Sequence, residues 1–275
     1  MGHSVGGTLL VLGCILGSGV DSIDSECDVT QLHISPGTPV QNSMWISWVT
    51  QGNCTSVVEV ENDSMDDDDE VRRILGSEVA SRYAFSGACI KNYTEPYVAE
   101  CPYESAFLHH VQLTGLSTQT TYSYRAGGRL VTAGAGTPEA FSEARHFTTP
   151  LPAGATEEPL RFAVVGDLGQ TTFSEKTMAE VSASRRRSSV STAVADDESP
   201  EPAVLMLVGD LSYADGEGER WDAWGELFSP LLSELPLVAF PGNHEVEFDA
   251  TRNTSFLHWR KRFRMPEVRE IRTST

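Results

Sequence analysis

Three short apolar runs in the second half of the chain share one pattern, in which the run ends near a glycine and an oxygen-bearing side chain follows. Unbroken apolar runs of this length are typical of strands that are buried on both faces. The runs are Arg161–Val165, Val204–Val208 and Leu237–Phe240, and the polar residues after them are Asp167, Asp210 and Asn243. Each gap has room for one crossover helix. Because parallel strands with such crossovers end at one edge of a sheet, the pattern predicts an α/β domain that brings these three side chains together.

The first half of the chain shows a different pattern, in which apolar and polar residues alternate over short segments. Such alternation, with turn residues between the segments, predicts a small antiparallel sandwich over residues 29–148. The alternating segments are Met44–Val49, Val57–Glu61, Phe107–Leu113 and Thr121–Arg125. The stretch Leu113–Tyr124 resembles the tyrosine-bearing corner of a fibronectin type III-like domain. The histidines of this part are interpreted as strand or surface residues rather than ligands: His33, His109, His110 and His146.

Two helices are predicted between the three apolar runs. Ser174–Ala183 follows the first run, with Ser174 as its N-cap. The second helix follows Asp215 and is expected to end at Pro230. Its apolar residues recur at helical spacing and are expected to pack on the sheet: Trp221, Trp224, Leu227 and Phe228.

Two further segments are read from composition alone. Thr148–Pro159 has the composition of a linker between the two parts of the chain. Ser184–Pro202 is predicted to be a low-complexity insertion, in which Arg185–Arg187 belong to a solvated loop.

The first residues are predicted to form a secretory signal peptide over residues 1–19. Thr8–Leu16 is an apolar core that is too short for a membrane span, and small residues follow it. Its removal would leave four cysteines, whose three possible pairings stay open: Cys27, Cys54, Cys89 and Cys101. The sequons agree with a secreted, N-glycosylated protein that folds in an oxidising compartment, and they lie at Asn53, Asn62, Asn92 and Asn253.

The chain is strongly acidic, with a formal net charge of -19 and a pI near 4.7. This balance argues against a nucleic-acid backbone as a partner. Part of the charge is the run Asp66–Glu70, which is interpreted as a solvated loop. An acidic protein that handles phosphate groups needs local positive charge, and metal ions could provide it.

The residues after the apolar runs are suited to metal binding. Asp167, Asp210 and Asn243 present hard oxygen ligands, and Tyr213 adds a phenol three residues after Asp210. A single Gly-Asp after a strand is usually a capped turn, but three such ends in order favour a shared site. A carboxylate can bridge two cations, and Asp210 is the natural candidate. Two metals roughly 3.5–4 Å apart support in-line hydrolysis of a phosphoryl group, and His244 could donate a proton to the leaving group or bind the phosphate.

These motifs are similar to those of the purple acid phosphatases, particularly the plant-type form. The resemblance rests on Gly166–Gly169, Gly209–Asp215, Arg220–Gly225 and Gly242–Glu245, together with Met44–Thr50 and His109–Leu116 in the first half. It implies a ferric ion bound by Asp167 and Tyr213, a bridging Asp210, and a divalent partner (iron, zinc or manganese) at Asn243, with His244 on the phosphate. It also implies a small phosphate ester as substrate and suggests a homodimer. Tyr213 separates this family from other metallophosphoesterases.

One departure from the family pattern concerns histidine. The family completes its site with three further histidines, whereas the only histidine after His244 in this sequence is His258. We therefore expect an incomplete metallophosphoesterase (calcineurin-like) domain over residues 160–275. The function expected by resemblance is an acid phosphatase that hydrolyses phosphate monoesters. The alternatives are an inactive fragment or a non-catalytic secreted binding module, and a phosphodiesterase, against which Tyr213 and the β-domain argue.

Overall fold

The structure is a computed structural model that describes residues 26–63, 71–89, 98–134, 136–152, 154–155, 160–189, 203–249 and 254–266. The predicted signal peptide and the sequons at Asn92 and Asn253 lie outside these ranges. No helix within them is both long and apolar enough to cross a membrane.

The first part of the chain is built from strands alone. They are β1 (Thr30–Pro36), β2 (Ser43–Thr50), β3 (Val57–Asn62), β4 (Arg72–Leu75), β5 (Ala84–Cys89), β6 (Val98–Glu104), β7 (Phe107–Thr114), β8 (Thr121–Gly128), β9 (Ala140–Phe141) and β10 (Arg145–Thr148). One sheet has the order β1-β2-β7 and a second has the order β10-β8-β3-β4, with β9 beside β8, while β5 and β6 form a separate hairpin. All pairings are antiparallel, as the alternating sequence pattern predicts.

The two sheets enclose one apolar core, which includes Ile34, Met44, Ile46, Trp48, Val58, Leu113, Tyr124 and Phe147. The tyrosine corner is confirmed, because the backbone N–H of Ser117 donates to the Tyr122 hydroxyl at 2.8 Å. His109 and His110 are buried strand residues of β7 with hydroxyl partners, Thr50, Ser56 and Ser47. The fibronectin type III-like sandwich is therefore the fold of this part.

Disulfides close two segments of the sandwich. Cys27 pairs with Cys54, and Cys89 pairs with Cys101 across the β5–β6 hairpin. The sequence left this pairing open. Both bridges are consistent with folding in an oxidising compartment.

The second part alternates strands and helices. Its elements are β11 (Phe162–Val165), α1 (Thr172–Ser189), β12 (Val204–Val208), α2 (Gly218–Leu232), β13 (Leu237–Phe240), a 3-10 helix (Asn243–Glu245), β14 (Phe248–Asp249), β15 (Thr254–Ser255) and α3 (Leu257–Arg262). The strands β11, β12 and β13 are parallel neighbours in that order. The three apolar runs thus form the predicted sheet, and their carboxyl ends share one edge.

Both long helices cover the same face of this parallel sheet. Met178 of α1 and Trp221, Trp224 and Phe228 of α2 pack in one core with strand residues Leu205, Leu207, Leu237 and Ala239. On the other face several apolar side chains are exposed: Phe162, Val164, Val208 and Phe240. Parallel sheets are normally covered on both faces, so within the described residues this face is unusually bare.

Three details of the helices differ from the sequence-based expectations. The N-cap of α1 is Thr171, whose hydroxyl accepts from the N–H groups of Phe173 and Ser174 at 3.2 and 3.3 Å. Ser174 lies inside the first turn, so its assignment as N-cap was wrong. The helix continues to Ser189, so the first part of the predicted insertion is helical, and Arg185 pairs with Glu234 at 3.4 Å.

The end of α2 is also later than expected. Pro230 lies inside the helix, which continues to Leu232. A proline removes one backbone donor, and in the last turn the cost of that loss is small enough for apolar packing to outweigh it. The packing is supplied by Leu231 and Leu232, which are buried, whereas Leu227 is exposed rather than part of the core.

A buried polar cluster joins the two parts of the chain. The Arg262 guanidinium, which is almost fully buried, donates to Gln31 Oε1 at 2.9 Å, Asp222 Oδ1 at 2.8 Å, the Tyr83 hydroxyl at 3.2 Å and the Tyr103 hydroxyl. We call these five residues the junction cluster. Tyr124 adds a second link by donating to the backbone oxygen of Ser233 at 2.7 Å. The sandwich and the α/β part are therefore packed together through satisfied polar contacts as well as apolar ones.

Candidate metal centre

The proposed donor residues follow strands that end at the same edge of the parallel sheet. Asp167 follows β11, Asp210 follows β12, and Asn243 begins the 3-10 helix after β13. Backbone hydrogen bonds continue past the strands and hold the loops in register: Asp167 N donates to Gly209 O at 3.2 Å, and Gly209 N donates to Phe240 O at 3.0 Å. The strand ends therefore position the loops before any side chain is considered.

The loops at this edge have an unusual backbone. Asp167, Asp210, Tyr213 and Asp215 have positive φ angles of 53°, 49°, 51° and 50°. Non-glycine residues adopt this region rarely, and such residues concentrate at functional sites where the surrounding structure enforces them. Their clustering here marks the edge as a site held in a specific shape.

Tyr213 and Asp167 are in direct contact. The Tyr213 hydroxyl donates to Asp167 Oδ1 at 3.2 Å. Desolvation raises the pKa of Tyr213 to about 12, and the hydrogen bond to Asp167 and the negative charges of Asp167 and Asp210 add to the shift. The phenol is thus protonated at ordinary pH in the metal-free protein. A cation bound beside these oxygens would favour the phenolate and so lower the pKa of Tyr213.

Asp210 is held by the backbone of the loop after β13. Its Oδ1 accepts the N–H of His244 at 3.1 Å. Gly242 lies so close that a Cβ at this position would be 2.1 Å from the same oxygen. Only glycine permits this approach, which is the tight backbone packing expected of the glycines at the strand ends.

Glu245 connects the loops, although the sequence pattern assigned no role to it. Its carboxylate is buried and accepts three backbone N–H groups: Ser212 at 3.1 Å, Tyr213 at 3.3 Å and Gly242 at 2.8 Å. A buried carboxylate is stable when hydrogen bonds satisfy it in this way. Its position directly after His244 was visible in the sequence, but the partners 33 and 32 residues away were not.

His244 is oriented by Asp215, a second residue without an assigned role in the sequence analysis. The ring Nδ1 lies 2.7 Å from Asp215 Oδ1, and the backbone N–H of Asp215 donates to the His244 carbonyl at 3.1 Å. The ring also packs on Tyr213, with centroids 4.3 Å apart. A carboxylate accepts, so Nδ1 carries the proton and Nε2 is the nitrogen that remains for a substrate.

A cavity of about 450 Å³ opens beside Asp167 and Tyr213. Its lining includes Asp167, Gln170, Phe173, Tyr213 and Arg220. Gln170 is held by donating to the Ser212 carbonyl at 2.8 Å. The cavity therefore adjoins two of the proposed oxygen donors, Asp167 and Tyr213, and has both an aromatic and a cationic side chain in its wall.

The oxygen donors at this sheet edge are of the kind that suits hard cations. Asp167, Asp210 and Tyr213 offer carboxylate and phenol oxygens, the ligands that hard cations prefer. In the described residues no group of three or more His, Cys, Asp and Glu side chains could hold a metal ion, so any site depends on Tyr213 and the exposed Asn243 as well. His258 is no candidate ligand, because it is fully buried and its Nδ1 bonds the Tyr83 hydroxyl at 2.7 Å.

Comparison with known proteins agrees with this architecture. A family model described as "Purple acid Phosphatase, N-terminal domain" matches residues 29–149, and one described as "Calcineurin-like phosphoesterase" matches residues 160–271. The sandwich and the α/β part thus match, in this order, the N-terminal domain of purple acid phosphatases and a calcineurin-like phosphoesterase domain.

Individual relatives point to the same family. Purple acid phosphatase 22 of Arabidopsis thaliana is 36% identical over 173 residues, which cover 62% of this chain and 32% of that protein. Purple acid phosphatase 23 is 28% identical over 86% of this chain and 51% of that protein. The solved purple acid phosphatase PPD1 of yellow lupin has the same fold, with a TM-score of 0.63 at 16% identity over 88% of this chain and 42% of that one.

The chain belongs to the purple acid phosphatase family. It spans between about a third and a half of the length of these relatives.

Proposed function

We propose that the protein hydrolyses phosphate monoesters at acid pH, at a centre formed by a ferric ion and a divalent ion of iron, zinc or manganese. Asp167, Asp210 and Tyr213 would hold the ferric ion, and Asp210 and Asn243 would hold the divalent one. The observation that carries the proposal is the convergence of these residues at the ends of three adjacent parallel strands, with Tyr213 already bonded to Asp167 at 3.2 Å.

The metals, when bound, would polarise the phosphoryl group and balance its negative charge. The chain supplies the rest of the arrangement. Asp210 is fixed by the N–H of His244, and Glu245 ties together the loops that carry Tyr213 and Gly242. Preorganised donors of this kind need no rearrangement during the reaction.

His244 is proposed as the proton donor to the leaving group. In the reaction the His244 ring must carry a proton on each nitrogen. A water oxygen attacks phosphorus, the bond between phosphorus and the ester oxygen breaks, and the leaving oxygen takes the proton from His244 Nε2. The proton released by the water returns to solvent, and His244 is reprotonated from solvent. The products are an alcohol and inorganic phosphate. Asp215, at 2.7 Å from Nδ1, keeps the ring in the orientation that this transfer requires.

Two further proposals concern where the protein works and how it is divided. The disulfides support passage through an oxidising compartment, and we propose a secreted, N-glycosylated protein whose residues 1–19 are a signal peptide. Residues 29–148 would then form the sandwich domain and residues 160–275 the metallophosphoesterase domain. A homodimer and a small-molecule substrate are the partners that the family resemblance suggests.

The experiment that tests the function is hydrolysis of a generic aryl phosphate by the full-length protein that carries this chain, loaded with iron and zinc. We expect turnover with an optimum below pH 7, and a loss of about 100-fold or more in Asp210→Asn, since Asp210 would hold both metals. Glu226→Gln, an equivalent change at an exposed position of α2, is the control and should retain activity. Stoichiometric metal binding without turnover between about pH 4 and 7 would overturn the proposal.

A further inference from the structure

The segment that follows Tyr213 packs directly on the β5–β6 hairpin of the sandwich. Gly216 has a positive φ of 89°, and a Cβ there would lie 2.4 Å from the Ala88 carbonyl oxygen. At Gly218, the first residue of α2, a Cβ would lie 2.1 Å from the Tyr103 ring. Two glycines thus allow the segment to touch the hairpin backbone at one point and its aromatic ring at another.

The hairpin itself is firmly anchored. The Cys89–Cys101 disulfide joins its two strands. A Cβ at Gly216 would lie 3.0 Å from both Cα and Cβ of Cys89. Tyr103 donates to Asp222 Oδ2 at 2.9 Å, and its hydroxyl also accepts from Arg262. Phe85 is buried beside Tyr103 in a satellite core. Because the hairpin is held by these contacts, its surface can fix the position of the segment that packs on it.

The segment that lies on the hairpin is the one that carries site residues. Tyr213 and Asp215 precede Gly216, and Asp215 is bonded to His244 through both its backbone and its side chain. A shift of the hairpin surface would therefore move Gly216 and Gly218, and with them the proposed metal ligand and the carboxylate that orients His244.

We propose that the disulfide-closed β5–β6 hairpin positions the Tyr213–Asp215 segment, so that the sandwich is a working part of the centre and Tyr103 is a positioning residue. The consequence for catalysis rests on the proposed function, whereas the positioning itself does not. The competing account is that the hairpin only adds stability.

The second disulfide provides a matched control for the first. Cys27–Cys54 belongs to the same sandwich, and Cys54 pairs with Leu130 in an isolated bridge. Opening either bridge removes one cross-link from the same part of the chain. Only the Cys89–Cys101 bridge lies against the segment after Tyr213.

Hydrogen–deuterium exchange of the metal-free full chain separates the two accounts, with Cys89→Ser/Cys101→Ser compared to Cys27→Ser/Cys54→Ser. In the first variant we expect the amides of residues 209–218 to exchange about tenfold faster or more, while β2 and β7 keep their protection. In the second variant residues 209–218 should stay within about twofold of the unaltered chain. Equal exchange of this segment in both variants, or no change in either, would overturn the proposal.

A milder variant covers the case in which the cysteine variants fail to fold. Gly218→Ala forces the Tyr103 ring away, and Gly134→Ala, where a Cβ meets nothing within 4 Å, is its control. Gly218→Ala should raise exchange at residues 209–218, and in active protein it should lower kcat while KM stays nearly constant. Unchanged exchange in Gly218→Ala would also contradict the positioning role. Exchange is measured without metal or substrate. A protein without phosphatase activity would therefore contradict the proposed function, while the exchange of residues 209–218 would still test the positioning role.

Discussion

The Tyr213 hydroxyl donates to Asp167 Oδ1 at 3.2 Å, although 46 residues separate the two in the chain. They meet because β11 and β12 are parallel neighbours whose ends are bonded through Gly209 O and Asp167 N. Two oxygen ligands are thus brought into contact by the sheet itself. Both residues are among those that would hold the ferric ion, which makes this contact the core of the proposed metal centre.

Glu245 should be important for stability as well as for the site. Glu245→Ala removes a buried carboxylate that accepts three backbone N–H groups, and we expect a loss of about 3–5 kcal/mol in the free energy of unfolding. Urea unfolding measures this loss. Glu226→Ala, at an exposed position of α2, should change stability by less than about 0.5 kcal/mol. A loss no larger than that of the control would show that Glu245 does not hold the loops.

Asp215→Asn should impair turnover rather than substrate binding. The amide keeps the size of the side chain but no longer presents a carboxylate to His244 Nδ1, which lies 2.7 Å away. We expect kcat to fall about 10- to 100-fold with little change in KM. The double variant with His244→Ala should be no slower than His244→Ala alone, because Asp215 acts through that ring. Additive losses in the double variant would refute the positioning role.

Arg262 should be the most sensitive residue of the junction cluster. Arg262→Met leaves Tyr83, Tyr103 and Asp222 without their shared donor, and buried pairs broken in this way lose about 3–5 kcal/mol. Because Asp222 is partly exposed, solvent relieves some of the cost, and we expect about 2–3 kcal/mol in urea unfolding. Arg260→Met on the same helix is exposed and serves as the control. Equal effects of the two substitutions would rule out a special role for the cluster.

Stability should be greatest near pH 6.5. Burial lowers the pKa of His109 to about 4 and the pKa values of His110 and His258 to about 3. These histidines stay neutral in the folded chain but take up protons near pH 6.5 when unfolded, so stability falls as pH drops from 6.5 toward 3. Burial raises the pKa of Glu247 to about 8, so its contribution is complete below pH 4.5 and falls as pH rises toward 8.

Urea midpoints at pH 5, 6.5 and 8 test this pattern. Burial also lowers the pKa of His33, so four histidines oppose one glutamate in the acid range, and we expect a net loss on the order of 3–5 kcal/mol between pH 6.5 and 5. Glu247→Gln should flatten the decline above pH 6.5 and enlarge the loss between pH 6.5 and 5, because the effect of Glu247 extends from pH 4.5 to 8. A midpoint that does not change between pH 6.5 and 5 would mean that these histidines are accessible to protons in the folded chain.

The sequence was sufficient for the sheet and for the position of the donors because both depend on local patterns. The apolar runs before Gly209 and Gly242 define strands, and strands in parallel order must end at the same edge. The helix ends were less predictable. Thr171 and Ser174 are both suitable caps by composition, and only the backbone geometry selects Thr171.

The contacts that fix the site could not be read from the sequence. Glu245 and Asp215 are visible in the sequence, but their hydrogen-bond partners depend on how the loop after β12 packs against the loop after β13. The Arg262 contact with Gln31 joins residues 231 positions apart, and no periodicity or propensity reports such a pair. Long-range polar contacts of this kind are decided by the tertiary fold.

The visible absorption spectrum of the iron-loaded chain tests the central claim most directly. If Tyr213 ligates ferric iron, the protein should show a phenolate-to-metal charge-transfer band. Tyr213→Phe should abolish that band, while Tyr122→Phe, which alters only the tyrosine corner of the sandwich, should retain it. A band of undiminished intensity in Tyr213→Phe would place the ligand elsewhere and contradict the metal centre described above.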